Sequence, residues 1–293
     1  MIVISKKILV LGAKGLLGSE FLNNDYLPGW EVIRHSRSEE MQAQADISSL
    51  EETTQMLDAL NPDVILNFVG LTDVELCESF PNEAYVCNVK TLENVVLWIK
   101  SAKKNIQLIH ISTDQVYDGL GPHLEDQVSL KNYYAFSKYT SELVASSAGA
   151  LIIRTNFFGK SKNEDRVSLT DWLFLNLKEK RFIQVFDDVM FSPLFMPTLC
   201  AMLSLAIEKK IIGVYNLGSR DGLSKADFAY KFATVLGFNC HNMERCSIDK
   251  SGLLRAYRPK DMRLDVQRFE NAVGVNLPTL DDEIKKAAEE YLK

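Results

Sequence analysis

The sequence predicts an α/β fold in which a doubly wound parallel sheet is joined to a smaller α/β lobe. Short runs rich in β-branched residues alternate with longer helical patterns through the first half of the chain. These runs are apolar on both faces, as expected for parallel strands that helices cover on each side. A glycine-rich segment, GAKGLLG (12–18), directly follows the first run and is typical of the turn between the first strand and the first helix of such a sheet.

Five strands are expected in the first 155 residues, with helices between them. The strands are KILVLG (7–12), EVIRHS (31–36), DVILNFVG (63–70), IQLIHIS (106–112) and ALIIRT (150–155). Helical patterns begin near Gly15 and cover 49–60, 82–104 and 134–147. Ser49 is placed as the N-cap of the second helix, because its hydroxyl can accept from a free backbone N–H.

The regular alternation ends after Thr155. The predicted elements are then a helix over 167–180, a strand over 181–188, a turn at Ser192–Pro193, a helix over 197–209, a strand over 213–218, and helices over 224–237 and 280–293. We therefore expect residues 1–155 and 196–219 to form the sheet domain. Residues 156–195 and 220–293 are expected to form the smaller lobe.

Composition and charge exclude several classes of function. The chain has 293 residues, of which 46% are hydrophobic and 25% charged, as is ordinary for a soluble globular protein. Its net charge of -6 gives no electrostatic reason to expect nucleic acid or an anionic membrane as a partner. No apolar stretch approaches the roughly 18 residues that span a bilayer. Five scattered cysteines without a CxxC pair suit a reducing compartment, so we expect a cytoplasmic protein without a metal site.

The glycine turn has the spacing of a phosphate-binding loop, with Gly12, Gly15 and Gly18 as its glycines. The turn must be tight, the backbone must approach a pyrophosphate closely, and the helix must pack against the strand. The N-terminus of that helix offers free N–H groups and partial positive charge to an anion. The turn therefore predicts a dinucleotide site, the alternative being a tight turn without a ligand.

The end of the second strand favours NADP(H) over NAD(H). An NAD site usually has an acidic side chain there, which binds the ribose hydroxyls. Here the strand runs into RHSRS (34–38), and Glu39 is the first acid. A cation such as Arg37 suits a 2′-phosphate, and Lys14 in the glycine turn could add to it. The alternative is that these are solvated surface charges.

The segment YAFSK contains a tyrosine and a lysine that a dinucleotide site can use. Tyr134 and Lys138 are four residues apart and therefore share one face of the predicted helix. A nearby ammonium favours the phenolate and should lower the tyrosine pKa from about 10. Ser112 and Thr113 end a predicted strand, at the edge where open α/β sheets bind ligands. Thr113, Tyr134 and Lys138 thus form a coherent acid–base group.

With these residues in place, the chain resembles the extended short-chain dehydrogenase/reductases, and specifically the dTDP-4-dehydrorhamnose reductase family. The resemblance runs nearly end to end, and the order and spacing of its motifs make it specific. The motifs are GAKGLLG (12–18), ADIS with Asp46, NFVGLTDVELCE (67–78), VCNV with Asn88, STDQVYDG (112–119), YAFSK (134–138), IIRTNFFG (152–159), DDVMFSP (187–193), GVYNLG (213–218) and RPKDMRLD (258–265).

The resemblance implies a Rossmann domain that binds NADP(H), a substrate-binding lobe, and reduction of the C4 keto group of a nucleotide-activated 6-deoxy-4-keto-hexose. In that reading Tyr134 donates the proton, Thr113 hydrogen-bonds the carbonyl oxygen, and Lys138 lowers the tyrosine pKa and holds the nicotinamide ribose. The cofactor-binding residues are then Gly12, Gly15, Leu16, Leu17, Gly18, Arg37, Asp46, Ile47, Phe68, Val69, Gly70, Tyr134 and Lys138. The substrate-binding residues are Thr72, Val74, Asp114 and Phe157.

The chain departs from the family pattern at Leu16, Gln115, Leu130, Met262 and in FSPL (191–194), several of them near the expected sugar pocket. The sugar and its nucleotide carrier therefore stay open.

Two other functions also stay open. One is a nucleotide-sugar epimerase or dehydratase, although Gln115 is neither an acid nor a base. The other is a non-catalytic, NADP-binding regulatory subunit, like that of methionine adenosyltransferase. The assembly considered is a homodimer.

Two polar residues outside the predicted site have structural explanations, and a third is left open. Arg154 ends a strand and is expected to be an ion-pair partner, and His110 is expected to be buried with its hydrogen bonds satisfied. For Arg258 the sequence leaves two alternatives, a contact with a diphosphate or a solvated surface charge.

Overall fold

The computed structural model describes residues 6–37, 41–250 and 254–292. At its centre is a seven-stranded parallel sheet with the strand order β11-β6-β5-β4-β1-β2-β3. Its strands are β1 Lys7–Leu11, β2 Glu31–Ser36, β3 Ala43–Gln44, β4 Val64–Asn67, β5 Gln107–Thr113, β6 Leu151–Thr155 and β11 Gly213–Leu217. The predicted doubly wound sheet is confirmed.

Helices cover both faces of this sheet because successive strand residues point to opposite sides. Ile8 and Val10 of β1 belong to the hydrophobic core on one face, and Leu9 and Leu11 to the core on the other. The helices that belong to the sheet are α1 Leu16–Asn23, α2 Leu50–Leu60, α5 Thr91–Ser101, α6 Tyr133–Ser146, α8 Met196–Lys209 and α10 Gln267–Val273. Within the described ranges, no helix is both long enough and apolar enough to cross a bilayer.

The helix predicted over 82–104 is interrupted in the structure. It consists of α4 Pro81–Tyr85, a π-helical turn Val86–Lys90, and α5. A π-helical turn inserts an extra residue and changes the direction of the side chains, which is a frequent feature of functional sites. The short helix α3 Val74–Ser79, which precedes this segment, was not predicted.

The smaller lobe has a core of its own, built around Phe158, Phe228 and Phe232. Its helices are α7 Leu169–Lys178, α9 Lys225–Val235 and α11 Leu280–Leu292. Its strands form three short pairs: β7 Phe157–Phe158 with β10 Leu194–Phe195, β9 Met190–Phe191 with β12 Leu223–Ser224, and β8 Ile183–Phe186 with β13 Met243–Cys246. Ser168 and Asp171 form a capping box at the start of α7, so the helix begins at Leu169, two residues after its predicted start.

The chain returns to the sheet after the first part of the smaller lobe. β11 pairs in parallel with β6, with Tyr215 opposite Ile153. A later segment also packs against the sheet, because Phe269, Val273 and Leu277 belong to the same core as Ile8. The domain boundaries stay a prediction, but this segment lies in the range assigned to the smaller lobe.

Candidate active site

A cleft of about 370 Å³ opens at the carboxyl ends of four neighbouring strands of the sheet. Its walls come from the residues that follow β1 and β4 and from the ends of β5, β6 and the first turns of α6. This is the edge at which open α/β sheets bind their ligands. The lining residues are Gly15, Leu16, Leu17, Gly18, Phe68, Val69, Gly70, Thr72, Ile111, Ser112, Thr113, Asp114, Gln115, Tyr134, Lys138, Thr155, Asn156, Phe157 and Arg166.

Most of the predicted site residues therefore lie together in one cleft. The predicted triad Thr113, Tyr134 and Lys138 lines it along with the glycine turn. The predicted residues that do not line it are Gly12, Arg37, Asp46, Ile47 and Val74.

The glycine turn packs so closely that side chains are excluded at two positions. Gly12 has φ +81, and a Cβ built there would lie 2.9 Å from the carbonyl carbon of Phe68. A Cβ on Gly18 would lie 2.2 Å from the carbonyl oxygen of Gly12. Gly15 is the N-cap of α1 and provides no side-chain acceptor, and the first turn of α1 contains no acidic residue. The N-terminal N–H groups of α1 therefore face the cleft without a competing carboxylate.

The residues expected around the adenine lie outside the cleft. The exposed carboxylate of Asp46 accepts hydrogen bonds from the backbone N–H and the hydroxyl of Ser48, at 3.0 and 2.7 Å. These bonds lower the Asp46 pKa, and the charge of exposed Arg37 lowers it further. Ile47 is buried in the core, and its carbonyl accepts from Asn94 at 3.0 Å. Its side chain therefore packs in the core. Glu39, named as the first acid after β2, lies outside the described residues.

Tyr134 lies in the first turn of α6, which begins at a well-defined cap. The Asn132 side chain accepts from the backbone N–H of Ala135 at 2.8 Å. The Tyr134 ring is buried against Val74 and Cys77, so Val74 packs in the cluster that holds the ring. The remaining predicted substrate residues, Thr72 and Phe157, line the cleft.

The pKa of the Tyr134 phenol differs from the prediction. It is raised from its ordinary value, chiefly by burial, and the Asp114 carboxylate adds to the rise. A hydrogen bond with Thr113 acts in the opposite direction. The expectation of a phenol made acidic by Lys138 is therefore wrong for this geometry, because burial dominates the shift and the ammonium is not among the groups that act on the phenol.

Lys138 lies one helical turn after Tyr134 and is 4% exposed. Its ammonium donates a hydrogen bond to the carbonyl of Ile111 at 2.7 Å. Burial lowers the pKa of Lys138 to about 8, and the carboxylate of Glu142 is the largest influence in the opposite direction. The charge of this side chain is therefore sensitive to small changes near neutral pH.

Asp114 is a third buried ionisable group of the cleft, with 1% of its surface exposed. Its carboxylate accepts from the amide of Asn156 at 2.7 Å and from the Thr113 hydroxyl at 3.3 Å. Burial raises the pKa of Asp114 to about 6, and Lys225 lowers it in part. Asp114 thus presents to the cleft a carboxyl group that can take either protonation state near neutral pH.

Asn88 and Arg166 are two of the polar residues at the site that were not singled out from the sequence as site residues. Asn88, in the π-helical turn, accepts from the backbone N–H of Leu71 at 2.6 Å and donates to the Ser137 hydroxyl at 2.8 Å. It therefore fixes the loop after β4 against α6. Arg166 lines the cleft opposite the glycine turn, and no motif indicated it. The nearby Asn163 donates to the Lys14 carbonyl at 2.6 Å, which anchors this loop of the smaller lobe to the turn.

The two predicted structural residues behave as expected. Arg154 pairs with buried Glu142 at 2.6 Å. His110 is fully buried, and its two ring nitrogens contact Asn67 and Ser141. Arg258 is half-buried, pairs with Glu75 at 2.9 Å and is not among the residues that line the cleft.

Comparisons with known proteins agree with this architecture. A family model described as the RmlD substrate binding domain matches residues 6–293. A probable low-salt glycan biosynthesis reductase from Haloferax volcanii is 28% identical over 290 residues, covering 94% of this chain and 95% of the relative. A dTDP-4-dehydrorhamnose reductase from Shigella flexneri is 27% identical over 262 residues, covering 84% of this chain and 85% of the relative.

Two further similarities concern the fold and an alternative function. The crystal structure of dTDP-4-dehydrorhamnose reductase from Bacillus anthracis in complex with NADP superposes with a TM-score of 0.88 at 22% identity, covering 98% of this chain and all of that one. Methionine adenosyltransferase 2 subunit beta from Rattus norvegicus is 23% identical over 300 residues, covering 94% of this chain and 85% of the relative.

Proposed function

Since the chain belongs to the family of the RmlD substrate binding domain, we propose that it is an NADPH-dependent reductase of nucleotide sugars. The reaction is reduction of the C4 keto group of a nucleotide-activated 6-deoxy-4-keto-hexose, a step in the synthesis of deoxysugar precursors. The observation that carries the proposal is the presence of Thr113, Tyr134 and Lys138 in one cleft with the glycine turn.

The residues of the cleft fit a dinucleotide. Gly12 and Gly18 let the turn pack directly against the backbone around it, and the first turn of α1 carries no acidic residue that would compete with a pyrophosphate. The cationic end of β2, with exposed Arg37, suits the 2′-phosphate of NADP(H). When bound, NADPH supplies the hydride. Residues 1–155 and 196–219 would hold it, while 156–195 and 220–293 would hold the sugar nucleotide.

The side chains of the cleft provide the proton chemistry. Because burial raises its pKa, the Tyr134 phenol keeps its proton at neutral pH and can donate it to the carbonyl oxygen as the alcohol forms. The Thr113 hydroxyl hydrogen-bonds the same oxygen and holds it in place. The Lys138 ammonium, which donates to the Ile111 carbonyl and lines the same cleft, would stabilise the phenolate that proton donation leaves.

The sugar nucleotide would contact Thr72, Asp114 and Phe157, with Val74 packed behind Tyr134. Phe157 is half-buried and offers a ring face to a base or a sugar. The departures from the family pattern leave the identity of the sugar and the nucleotide open. A cytoplasmic location is part of the proposal and is supported by five free cysteines.

A homodimer is also part of the proposal. Leu97 on α5 and Phe136 and Leu143 on α6 are exposed apolar side chains on neighbouring helices. Such a surface suits contact with another copy of the chain. Light scattering coupled to gel filtration would give the mass of the particle in solution directly. A monomer at micromolar concentration would refute the proposed homodimer.

A non-catalytic regulatory subunit is the second candidate, favoured by the similarity to methionine adenosyltransferase 2 subunit beta. The two candidates differ in turnover rather than in cofactor binding. The test is loss of NADPH absorbance with a panel of 4-keto nucleotide sugars that vary in sugar and nucleotide. We expect turnover with at least one of them.

The variant Tyr134→Phe should abolish that turnover while retaining NADPH binding, measured by fluorescence. Tyr133→Phe is the matched control, because Tyr133 is the adjacent residue of α6 and is exposed. NADP(H) binding without turnover of any panel member would overturn the reductase and support the regulatory subunit.

A further inference from the structure

A third ionisable residue continues the line of Tyr134 and Lys138 along α6. Glu142 follows Lys138 by four residues, so the three side chains project from successive turns of the helix. All three are buried, and Glu142 is 2% exposed. The proposed mechanism uses the first two and gives no role to the carboxylate.

The Glu142 carboxylate is held by two other elements of the sheet. Nε of Arg154 donates to its two oxygens at 3.0 and 3.1 Å, and Nη2 donates at 2.6 Å. The Ser112 hydroxyl donates to Oε1 at 2.5 Å. Ser112 directly precedes Thr113 on β5, and Arg154 directly precedes Thr155 on β6. One carboxylate therefore ties α6 to the ends of both strands that line the cleft.

Among the described residues, Glu142 is the carboxylate whose negative charge raises the pKa of the Lys138 ammonium. The other ionisable groups that act on Lys138 are the thiols of Cys77 on α3 and Cys87 in the π-helical turn. Burial raises the pKa of both thiols, so they are neutral at physiological pH. His110 on β5 is held neutral because burial keeps its pKa well below the usual range. Glu142 alone in this set opposes the cost of burying the ammonium.

We propose that Glu142 is a positioning residue, which keeps Lys138 charged and holds α6 against the ends of β5 and β6. The expected effect on kcat/KM rests on the proposed function, because the proposed reductase requires the charged Lys138 ammonium. Removing the charge of Glu142 while keeping its shape should leave the buried Lys138 ammonium without the anion that opposes its desolvation.

The test compares Glu142→Gln with Ser112→Ala. The glutamine retains the size and one acceptor oxygen but loses the charge, whereas the alanine removes one hydrogen bond to a carboxylate that stays charged. The pH profile of kcat/KM is measured for both, together with the titration of Lys138 by NMR of ¹³Cε-labelled lysine in the NADP complex and in the free protein. The NMR resonance is assigned with Lys138→Arg.

In Glu142→Gln we expect the midpoint of Lys138 to fall by about one pH unit, from a starting value of about 8. Activity would then drop about fivefold at pH 8 and change little at pH 6, because deprotonation begins at lower pH. Ser112→Ala should lose thermal stability but keep its alkaline midpoint. Glu142→Asp, which keeps the charge, should restore the midpoint and covers the case in which the glutamine variant does not fold.

A midpoint that stays in place in Glu142→Gln, or one that moves equally in Ser112→Ala, would assign a purely structural role to Glu142. Absence of turnover in the unmodified protein would refute the proposed function instead. The NMR titration still decides the inference in that case, because it does not require turnover.

Discussion

Asp114 provides a prediction in which stability and function oppose each other. Its carboxyl group is buried, accepts only two side-chain hydrogen bonds in the described structure, and has a pKa raised to about 6 by burial. The change is Asp114→Asn, which keeps the shape and removes the charge. We expect the variant to be more stable than the unmodified protein at neutral pH and less active toward the nucleotide sugar.

The magnitude follows from the difference between the folded and unfolded pKa values. The ordinary value is 3.8 and the folded value about 6, so ionising Asp114 in the folded protein costs about 3 kcal/mol. The pKa of Asp114 is higher in the folded protein than in the unfolded chain. Its contribution to the free energy of unfolding is therefore fully present below the unfolded pKa and is lost as the pH rises through the folded pKa. Between pH 4 and pH 7 the unmodified protein should lose about 2 kcal/mol relative to Asp114→Asn.

The assay is urea unfolding of both proteins at several pH values, with the difference in unfolding free energy plotted against pH. Any fixed cost of the new amide cancels in the slope of this difference. Asp46→Asn is the matched control, because the pKa of Asp46 is lowered and its difference should slope in the opposite direction. A flat difference for Asp114→Asn, or one that favours the unmodified protein as pH rises, would refute the reasoning.

Three further predictions concern the glycine turn, the loop that faces it and the buried ion pair. Gly18→Ala should weaken NADPH binding at least tenfold by fluorescence titration, because its Cβ would lie 2.2 Å from the Gly12 carbonyl oxygen. A Gly29→Ala control, also in a turn, tests general backbone strain. Arg166→Gln should weaken NADPH binding about tenfold without lowering the melting temperature, since the exposed guanidinium lines the cleft; unchanged affinity would remove it from the site. Arg154→Met should cost about 3–5 kcal/mol in urea unfolding by leaving Glu142 unpaired, and a loss below about 1 kcal/mol would contradict a buried pair.

The sequence predicts most strands of the sheet well, because each of them is a short, uninterrupted run of apolar residues. β1, β2, β5 and β6 lie within two residues of their predicted limits. The predicted strand 63–70 is too long, since β4 ends at Asn67 and residues 68–70 line the cleft. Apolar character alone does not separate a buried strand from the buried loop that follows it.

Several elements that depend on distant partners were not predicted. The strand expected over 181–188 is present as β8, but its partner β13 was not expected, since the pair joins residues as far apart in the chain as Ile183 and Met243. Several other strands of the smaller lobe contain only two residues. The π-helical turn around Asn88 carries no periodic signal, because one inserted residue alters the phase without altering the composition. Arg166 reaches the cleft only through the tertiary contact of its loop with the glycine turn.

The raised pKa of Tyr134 bears on the protonation state in which the phenol meets its substrate. The sequence indicated the partners of the phenol but not its burial, which decides the direction of the shift. Burial keeps the Tyr134 phenol protonated at neutral pH, which is the state that donates a proton to a carbonyl oxygen as the alcohol forms. Because the same group must take that proton back in the reverse reaction, the pKa of Tyr134 does not by itself set the direction of the reaction, and the measured turnover of NADPH with 4-keto sugars decides it.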